Sequence, residues 1–228
     1  MNKKLIHVAL AAGLWGAAAM AQAGIVNLTG WTFGSGHTIH VATPSHDGPA
    51  GGFKGSLSGF GAPFDTLSFE TYCVELTESF YGFPSGNMSG YSIFTPGAYG
   101  EWGLNFATVA NRIGQLMTYV NANPLAADTS GESTSLQLAI WNAIYDTDNS
   151  LSAGSFQDTS IYAPDATMLL ANSALTTSNL NVFVVAKRGS QDFLVTTRVP
   201  EPGTLALAAA GFAGLGFSAR RRRARTAA

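Results

Sequence analysis

The chain contains little cysteine and little charge, and its charge is unevenly distributed. Cys73 is the only cysteine among 228 residues, which excludes a disulfide within the chain. Charged residues make up 11% of the sequence. Residues 24–198 contain five basic and thirteen acidic side chains, a formal charge of −8. Because phosphate binding needs clustered Lys and Arg, we expect no nucleic-acid partner.

The sequence also lacks the patterns of common catalytic and metal sites. Residues 55–59 read Gly-Ser-Leu-Ser-Gly, with Leu57 where a nucleophile elbow needs serine. Two histidines three positions apart on a strand face opposite sides, so no metal-ligand spacing is found among His37, His40, His46 and Asp47. Residues 146–150 alternate oxygen-bearing side chains, but without the full calcium-loop pattern they indicate a solvated turn at a helix end. We therefore expect no enzymatic turnover, metal or cofactor.

The start of the chain has the three parts of a secretory signal peptide. Lys3 and Lys4 precede an apolar run over residues 5–20, and small residues at Ala21 and Ala23 flank a peptidase site. We therefore predict that residues 1–23 are a signal peptide used by the Sec machinery and removed after Ala23. In an exported protein, a single cysteine suggests intermolecular pairing or unusual thiol chemistry.

Residues 24–198 have a size and pattern that predict one α+β domain. β-Prone segments between Gly, Ser and Pro clusters predict strands at residues 25–28, 38–41, 53–57, 66–77 and 91–94. Helices are predicted at residues 105–121, 133–146 and 165–176, the second with Ser130 or Ser133 as its N-cap. A hairpin with strands at residues 181–186 and 191–197 follows. We expect a β-sandwich or barrel-like sheet with a small inserted helical subdomain.

The tail, residues 199–228, differs from the domain before it. Pro200, Glu201 and Pro202 are followed by an uncharged stretch over residues 203–219. The basic residues behind this stretch are Arg220, Arg221, Arg222, Arg223 and Arg225. An apolar segment close to membrane-span length, with arginines behind it, predicts a C-terminal helix that crosses the inner membrane with its C-terminus in the cytoplasm.

This tail closely resembles the PEP-CTERM sorting signal of Gram-negative bacteria. That signal consists of Pro-Glu-Pro, a short apolar helix and a basic cluster, in the order found here. The resemblance implies that an exosortase, a membrane transpeptidase-like enzyme, recognises the tail and removes the helix. The membrane anchor would then be transient, and the protein would reach the cell surface or extracellular matrix. Proteins with this signal accompany exopolysaccharide production, so exopolysaccharide and biofilm are implied surroundings.

Two short segments of the domain resemble the bacterial thioester domains, also called TQXA domains, which are adhesin modules with a Cys–Gln cross-link. The segments are Tyr-Cys-Val-Glu-Leu at residues 72–76 and Leu-Gln-Leu-Ala-Ile-Trp at residues 136–141. The family pattern is Tyr-Cys-aliphatic-acidic, then Gln-x-Ala-Ile-Trp. Leu136 departs from it where the family often has threonine. The resemblance implies an intramolecular thioester between Cys73 and Gln137.

The chemistry of such a bond explains the residue types. A thiolate would attack the Gln137 carboxamide and expel ammonia, which requires that the fold hold both groups in near-attack geometry. We expect Gln137 in the first turn of its helix, where exposed amides would stabilise an oxyanion. Trp141 and Tyr145 share a helix face with Gln137. Together with Tyr72, they are predicted to shield the thioester from water.

Two functions are open at this point. The protein is either a surface or matrix adhesin that binds amine-bearing surfaces covalently in a single-use reaction, or a non-covalent structural or carbohydrate-binding matrix protein. In the second case Cys73 is an inert residue of the core.

Overall fold

The computed structural model describes residues 23–80 and 86–199. The predicted signal peptide up to residue 22, including Ala21, lies outside these residues. So do Pro200, Glu201, Pro202, the apolar segment and the arginine cluster of the tail. Ala23 is exposed and directly precedes the first strand.

The described chain alternates short strands with three α-helices. The strands are β1 Gly24–Trp31, β2 His37–Thr43, β3 His46–Ala50, β4 Phe53–Ser58, β5 Thr66–Thr71, β6 Met88–Phe94, β7 Gln157–Asp158, β8 Leu180–Lys187 and β9 Ser190–Arg198. The helices are α1 Phe106–Ala122, α2 Ser130–Tyr145 and α3 Ala163–Ser173. Short 3-10 helices lie at Gly100–Asn105 and Pro124–Ala126. All three predicted helices are present, whereas β3 and β7 were not predicted.

A six-stranded antiparallel sheet in the order β5-β4-β1-β6-β8-β9 forms the body of the domain. Its two edges meet just after β5. The Leu194 N–H donates to the Tyr72 carbonyl at 2.9 Å, and the Val74 N–H donates to the Asp192 carbonyl at 3.1 Å. Cys73 forms an isolated β-bridge with Phe193. The sheet is therefore nearly closed and barrel-like, as predicted, and Cys73 lies at the closing seam, which residues 71–74 and 192–194 form.

The closing seam corrects the prediction of one strand over residues 66–77. β5 ends at Thr71 because the chain leaves its ladder with β4 and pairs with β9 instead. The expected alternation of sides, with Cys73 on the face of Leu67 and Phe69 and with Tyr72 opposite, ends there too. Tyr72, Cys73 and Val74 are all buried in succession. Packing covers the chain on both sides at this seam.

The helices are inserted between β6 and β8, beside a second, three-stranded sheet in the order β3-β2-β7. Helix α2 is the most enclosed of them, since every residue from Ser133 to Ala143 is buried. A helix that is buried on all its faces belongs to the interior of a domain. The predicted core stripe of α2 is therefore only part of its buried surface.

Helix α2 begins three residues earlier than predicted, and its N-cap is Thr129. The Thr129 hydroxyl accepts from the Glu132 N–H at 3.2 Å, and the Glu132 carboxylate accepts from the Thr129 N–H at 3.0 Å. This reciprocal pair is a capping box, for which the sequence Thr-Ser-Gly-Glu has the required spacing. The proposed caps at Ser130 and Ser133 were wrong, because both residues lie inside the helix.

Candidate Cys–Gln site

One stripe of helix α2 lies along the Cys73 segment, which we define as residues 72–76. Side chains four residues apart share a helix face, and this stripe contains Ser133, Gln137, Trp141 and Tyr145. The Ser133 Oγ lies 3.4 Å from the Tyr72 hydroxyl, and the Tyr145 hydroxyl accepts from the Leu76 N–H at 3.3 Å. Sequence reasoning missed Ser133, although the same four-residue spacing points to it.

Gln137 and Cys73 are joined by two reciprocal hydrogen bonds. The Gln137 Oε1 accepts from the Cys73 N–H at 2.9 Å, and the Gln137 Nε2 donates to the Cys73 carbonyl at 2.8 Å. Gln137 is 0% exposed and Cys73 is 8% exposed. The carboxamide therefore lies against the backbone of the residue whose Cα also carries the thiol, and its position is fixed from both ends.

The donor to the Gln137 carbonyl differs from the predicted one, which was a free amide at the start of the helix. Gln137 is the eighth residue of α2 rather than a residue of its first turn. The free amides of a helix start lie within its first four residues, so they do not reach the Gln137 carbonyl. The N–H that polarises this carbonyl is instead that of Cys73. An N–H donor directed at a carbonyl oxygen stabilises the negative charge that develops there during acyl transfer.

Burial keeps the Cys73 thiol and the Tyr72 and Tyr145 hydroxyls neutral. It raises the pKa of the Cys73 thiol well above its usual value. Burial also raises the pKa of Tyr72 to about 12, against a smaller opposite effect of its hydrogen bond to Ser133. The pKa of Tyr145 is raised to about 12, again mainly by burial. The site thus places a neutral thiol and a polarised amide carbonyl on the same backbone unit.

A cavity of about 440 Å³ adjoins Cys73. Aromatic walls are supplied by Trp31, Phe53, Phe80 and Trp141, and carboxylates by Asp47, Glu75 and Glu78. Of the three predicted shielding residues, Trp141 lines this cavity. The Tyr72 hydroxyl contacts Ser133 instead, and the Tyr145 hydroxyl accepts from the Leu76 N–H. The buried Trp141 Nε1–H has no hydrogen-bond partner among the described residues.

Three carboxylates lie together beside this cavity. Carboxylate oxygens of Glu75, Glu78 and Asp192 lie within 4.8 Å of one another, and the Tyr99 hydroxyl bridges Glu75 and Asp192. Burial, together with the neighbouring Asp192 and Glu78 charges, raises the pKa of Glu75 to about 7. Burial raises the pKa of Asp192 to about 6. The Tyr99 hydroxyl thus links two of these three carboxylates.

The sequence did not predict this cluster of carboxylates, for two reasons. Glu75 was visible as the acidic residue of the Tyr-Cys-aliphatic-acidic segment, but its role was not considered. Tyr99 and Asp192 carry no local signal, because the closing of the sheet brings them to Glu75 from distant positions. The histidines considered as ligands do not converge. His37 contacts the Ser130 hydroxyl at 3.0 Å, and His40 pairs with Asp47 at 2.8 Å.

The oxygen-rich turn at residues 146–150 surrounds an arginine. The Arg112 guanidinium donates to the carbonyls of Asp146 and Asp148, and to the Oδ1 atoms of Asn142 at 2.9 Å and Asn149 at 3.1 Å. The prediction of a helix-end turn is confirmed, because α2 ends at Tyr145. Several of its oxygens, however, accept hydrogen bonds from the Arg112 side chain.

Comparison with known proteins gives a structural similarity and a sorting motif. No protein of curated function matches the chain. The structure is similar to the N-terminal thioester domain of a surface protein from Clostridium perfringens, solved as a cysteine-to-alanine mutant. The TM-score is 0.43 at 20% identity, and the match covers 59% of this chain and 84% of that one.

The tail matches a known sorting motif. No helix in the described part of the chain combines the length and apolar character of a membrane span. Residues 198–223 match the family model of the PEP-CTERM protein-sorting motif, where the sequence predicted it. The chain therefore carries a PEP-CTERM sorting signal, which implies export, transient membrane anchoring and processing by an exosortase.

Proposed function

We propose that this exported protein is an adhesin of the cell surface or exopolysaccharide matrix, and that a thioester between Cys73 and Gln137 attaches it covalently to amine-bearing surfaces. The observation that carries the proposal is the reciprocal hydrogen bonding between the Gln137 carboxamide and the Cys73 backbone. It joins the only cysteine of an exported chain to a fully buried glutamine, 64 positions later in the sequence.

The bond would form in one acyl transfer. The Cys73 Sγ bonds to the Gln137 Cδ, the Cδ–Nε2 bond breaks, and the thiol proton leaves with the nitrogen as ammonia. The Cys73 N–H stabilises the oxyanion of the tetrahedral intermediate. An amide is a poor electrophile, so the fixed position of the carboxamide supplies much of the rate.

Attachment would consume the thioester. The nitrogen of a surface amine bonds to the Gln137 Cδ, the C–S bond breaks, and Cys73 regains its thiol. The product is an amide bond between Gln137 and the surface. Because the amide does not revert to the thioester, each molecule reacts once, and the protein is a single-use reagent rather than an enzyme with turnover.

A second candidate is a non-covalent matrix protein that binds exopolysaccharide or another carbohydrate, or has a structural role alone. The observation that favours it is that both the oxygen and the nitrogen of the Gln137 carboxamide are hydrogen-bonded, which gives this side chain a structural reason to be buried. The raised pKa of Cys73 likewise suits an inert thiol. The two candidates differ in whether a covalent product forms.

Labelling with biotin cadaverine, a primary amine, separates the candidates. The purified protein, Cys73→Ala and Gln137→Ala are incubated with the amine, denatured and digested, and the labelled peptide is identified by mass. Covalent adhesion predicts label on Gln137 in the wild type and none in either variant. A wild type without label, or a label that persists in Cys73→Ala, would contradict it. Absence of label would favour the non-covalent matrix protein.

A further inference from the structure

The cavity beside Cys73 has the charge and walls of a site for a cation. Three carboxylates line it, from Asp47, Glu75 and Glu78, and none of the described residues that line it is a lysine or arginine. Its aromatic walls include Trp31 and Trp141. An ammonium group is attracted to carboxylates and to the faces of aromatic rings. A primary amine at neutral pH is such an ammonium group.

The positive charge that would bring an amine to this cavity also prevents it from reacting. An ammonium nitrogen has no lone pair, so it must lose a proton before it can attack an acyl carbon. A base is therefore needed beside the reacting atoms, and its own pKa should lie near the working pH. Glu75 lines the same cavity as Cys73 and follows it by two residues.

The surroundings of Glu75 adapt it to exchange protons. The Tyr99 hydroxyl lies 2.9 Å from Glu75 Oε1 and 2.7 Å from Asp192 Oδ2, yet it has a single proton to donate. Both contacts are satisfied together when one of the two carboxyl groups also carries a proton. Asp192 is the more strongly held as an anion, because its Oδ1 also accepts from the Lys187 N–H at 2.9 Å. The extra proton is therefore held by Glu75, and its release leaves Glu75 as the carboxylate that can act as a base.

Of the other charged and titratable groups around Glu75, Glu78 and Asp192 favour the same assignment, whereas the hydrogen bond from Tyr99 opposes it. The groups that act on Glu75, or that line the cavity with it, are Glu78, Tyr99, Tyr145, Asp192, His46 and Asp47. Burial and the Asp192 and Glu78 charges raise the pKa of Glu75 to about 7. Glu75 is half-buried and reaches the cavity, so it can take up a proton there and release it to solvent.

We propose that Glu75 is the catalytic base that activates a primary ammonium group, such as a lysine side chain, for attack on the acyl group of Gln137. This inference rests on the proposed thioester. The ammonium gives one proton to the Glu75 carboxylate, and the free amine bonds to the Gln137 Cδ. The C–S bond then breaks, the second proton of the attacking nitrogen passes to the Cys73 sulfur, and Glu75 releases its proton to solvent.

The test measures capture of methylamine by intact mass at a series of pH values. The variants are Glu75→Gln, Glu75→Asp and, as a matched loss of one charge in the same cavity, Glu78→Gln. The mass of each protein before amine is added reports whether ammonia has been lost. If the wild type has not lost ammonia, the proposed function fails and this inference fails with it. If the wild type captures amine, the rates of the variants test Glu75 alone.

In the wild type we expect the capture rate to rise with pH and to show an inflection near about 7, where Glu75 becomes a carboxylate. Glu75→Gln should be slower by about 100-fold or more and should lack the inflection, because general bases contribute about 10²–10⁴-fold. Glu75→Asp should restore an inflection at lower pH, since aspartate has the lower ordinary pKa.

Glu78→Gln should keep the inflection but move it to lower pH, because the Glu78 charge helps to raise the pKa of Glu75. A Glu75→Gln protein with the wild-type rate and pH profile would overturn the inference while leaving the thioester intact. If Glu75→Gln retains its ammonia, Glu75→Asp decides: an inflection at lower pH supports Glu75 as the base, and an unchanged inflection overturns it.

Discussion

The contact between Gln137 and residue 73 predicts a large loss of stability when Gln137 is replaced by methionine. Methionine has a similar length but makes neither of the two hydrogen bonds, so the N–H and carbonyl of residue 73 lose their partner in a buried site. We make the Gln137→Met substitution in a protein that already carries Cys73→Ala. Alanine keeps the backbone groups and removes any contribution of a thioester to stability.

The size of the effect follows from the two unpaired groups. A buried polar group that loses its partner costs about 1–3 kcal/mol, so two such groups should lower the free energy of unfolding by about 2–6 kcal/mol. This is a large part of the roughly 5–15 kcal/mol that keeps a domain folded. The free energies are measured by urea unfolding, followed by circular dichroism and tryptophan fluorescence, with an unchanged denaturant slope.

The matched control is Gln115→Met on helix α1, where the side chain is half-buried. We expect this variant to stay within about 0.5 kcal/mol of its parent. If Gln137→Met also changed the free energy of unfolding by less than about 0.5 kcal/mol, Gln137 would not hold the Cys73 segment in solution. The geometry on which the thioester depends would then be refuted.

Three further predictions concern stability. Arg112→Met should lower the free energy of unfolding by about 2–4 kcal/mol, because the turn after α2 loses its charged donor; a loss under about 1 kcal/mol would contradict this role. A thioester that closes a 64-residue separation should add about 4 kcal/mol to the free energy of unfolding, so protein opened by methylamine should unfold at lower urea. Burial raises the pKa of Asp192 to about 6, so stability should fall by up to about 3 kcal/mol as pH rises from about 4 to 7.

The sign of the pH effect follows from proton binding. A folded state with a raised carboxyl pKa binds more protons than the unfolded chain between the two pKa values, so stability is lost as pH rises through this range. Asp192→Asn should reduce this dependence and leave the part that the raised pKa of Glu75 contributes. An unchanged pH profile in that variant would assign the dependence to other groups. The stability of Arg112→Met is compared with that of the wild type by the urea concentration at the midpoint of unfolding. For the thioester, equal midpoints before and after methylamine would exclude a stabilising cross-link.

The helices and most strands follow from local sequence, whereas two strands and one cap do not. The apolar spacing in α1 and α3 and the β-branched residues of β8 are strong local signals. β3 reads His-Asp-Gly-Pro-Ala and β7 has two residues, so pairing with β2 rather than propensity makes them strands. The start of α2 was predictable from the capping box at Thr129 and Glu132, which was overlooked.

The candidate site, too, could be predicted only in part from the sequence. The pairing of Cys73 with Gln137 was expected from two short motifs, and the four-residue stripe of α2 from helical geometry. The prediction that Cys73 lies within a strand over residues 66–77 was wrong. The chain changes its pairing partner from β4 to β9 there, and this depends on tertiary structure and has no local sequence signal. For the same reason the meeting of Glu75 with Tyr99 and Asp192 became visible only in the folded chain.

The most direct test of the central claim compares the intact masses of the purified protein and its Cys73→Ala variant. Both proteins pass through the same processing steps, so their masses should differ by the substitution and by any internal bond. We predict that the wild type is lighter by one further ammonia, and that methylamine adds its whole mass at Gln137, which makes the product heavier than the unbridged protein by one CH₂ group. A wild type of full mass with a Cys73 that alkylates freely after denaturation would contradict the thioester. In that case the protein would be an exported matrix protein with a buried, unreactive cysteine.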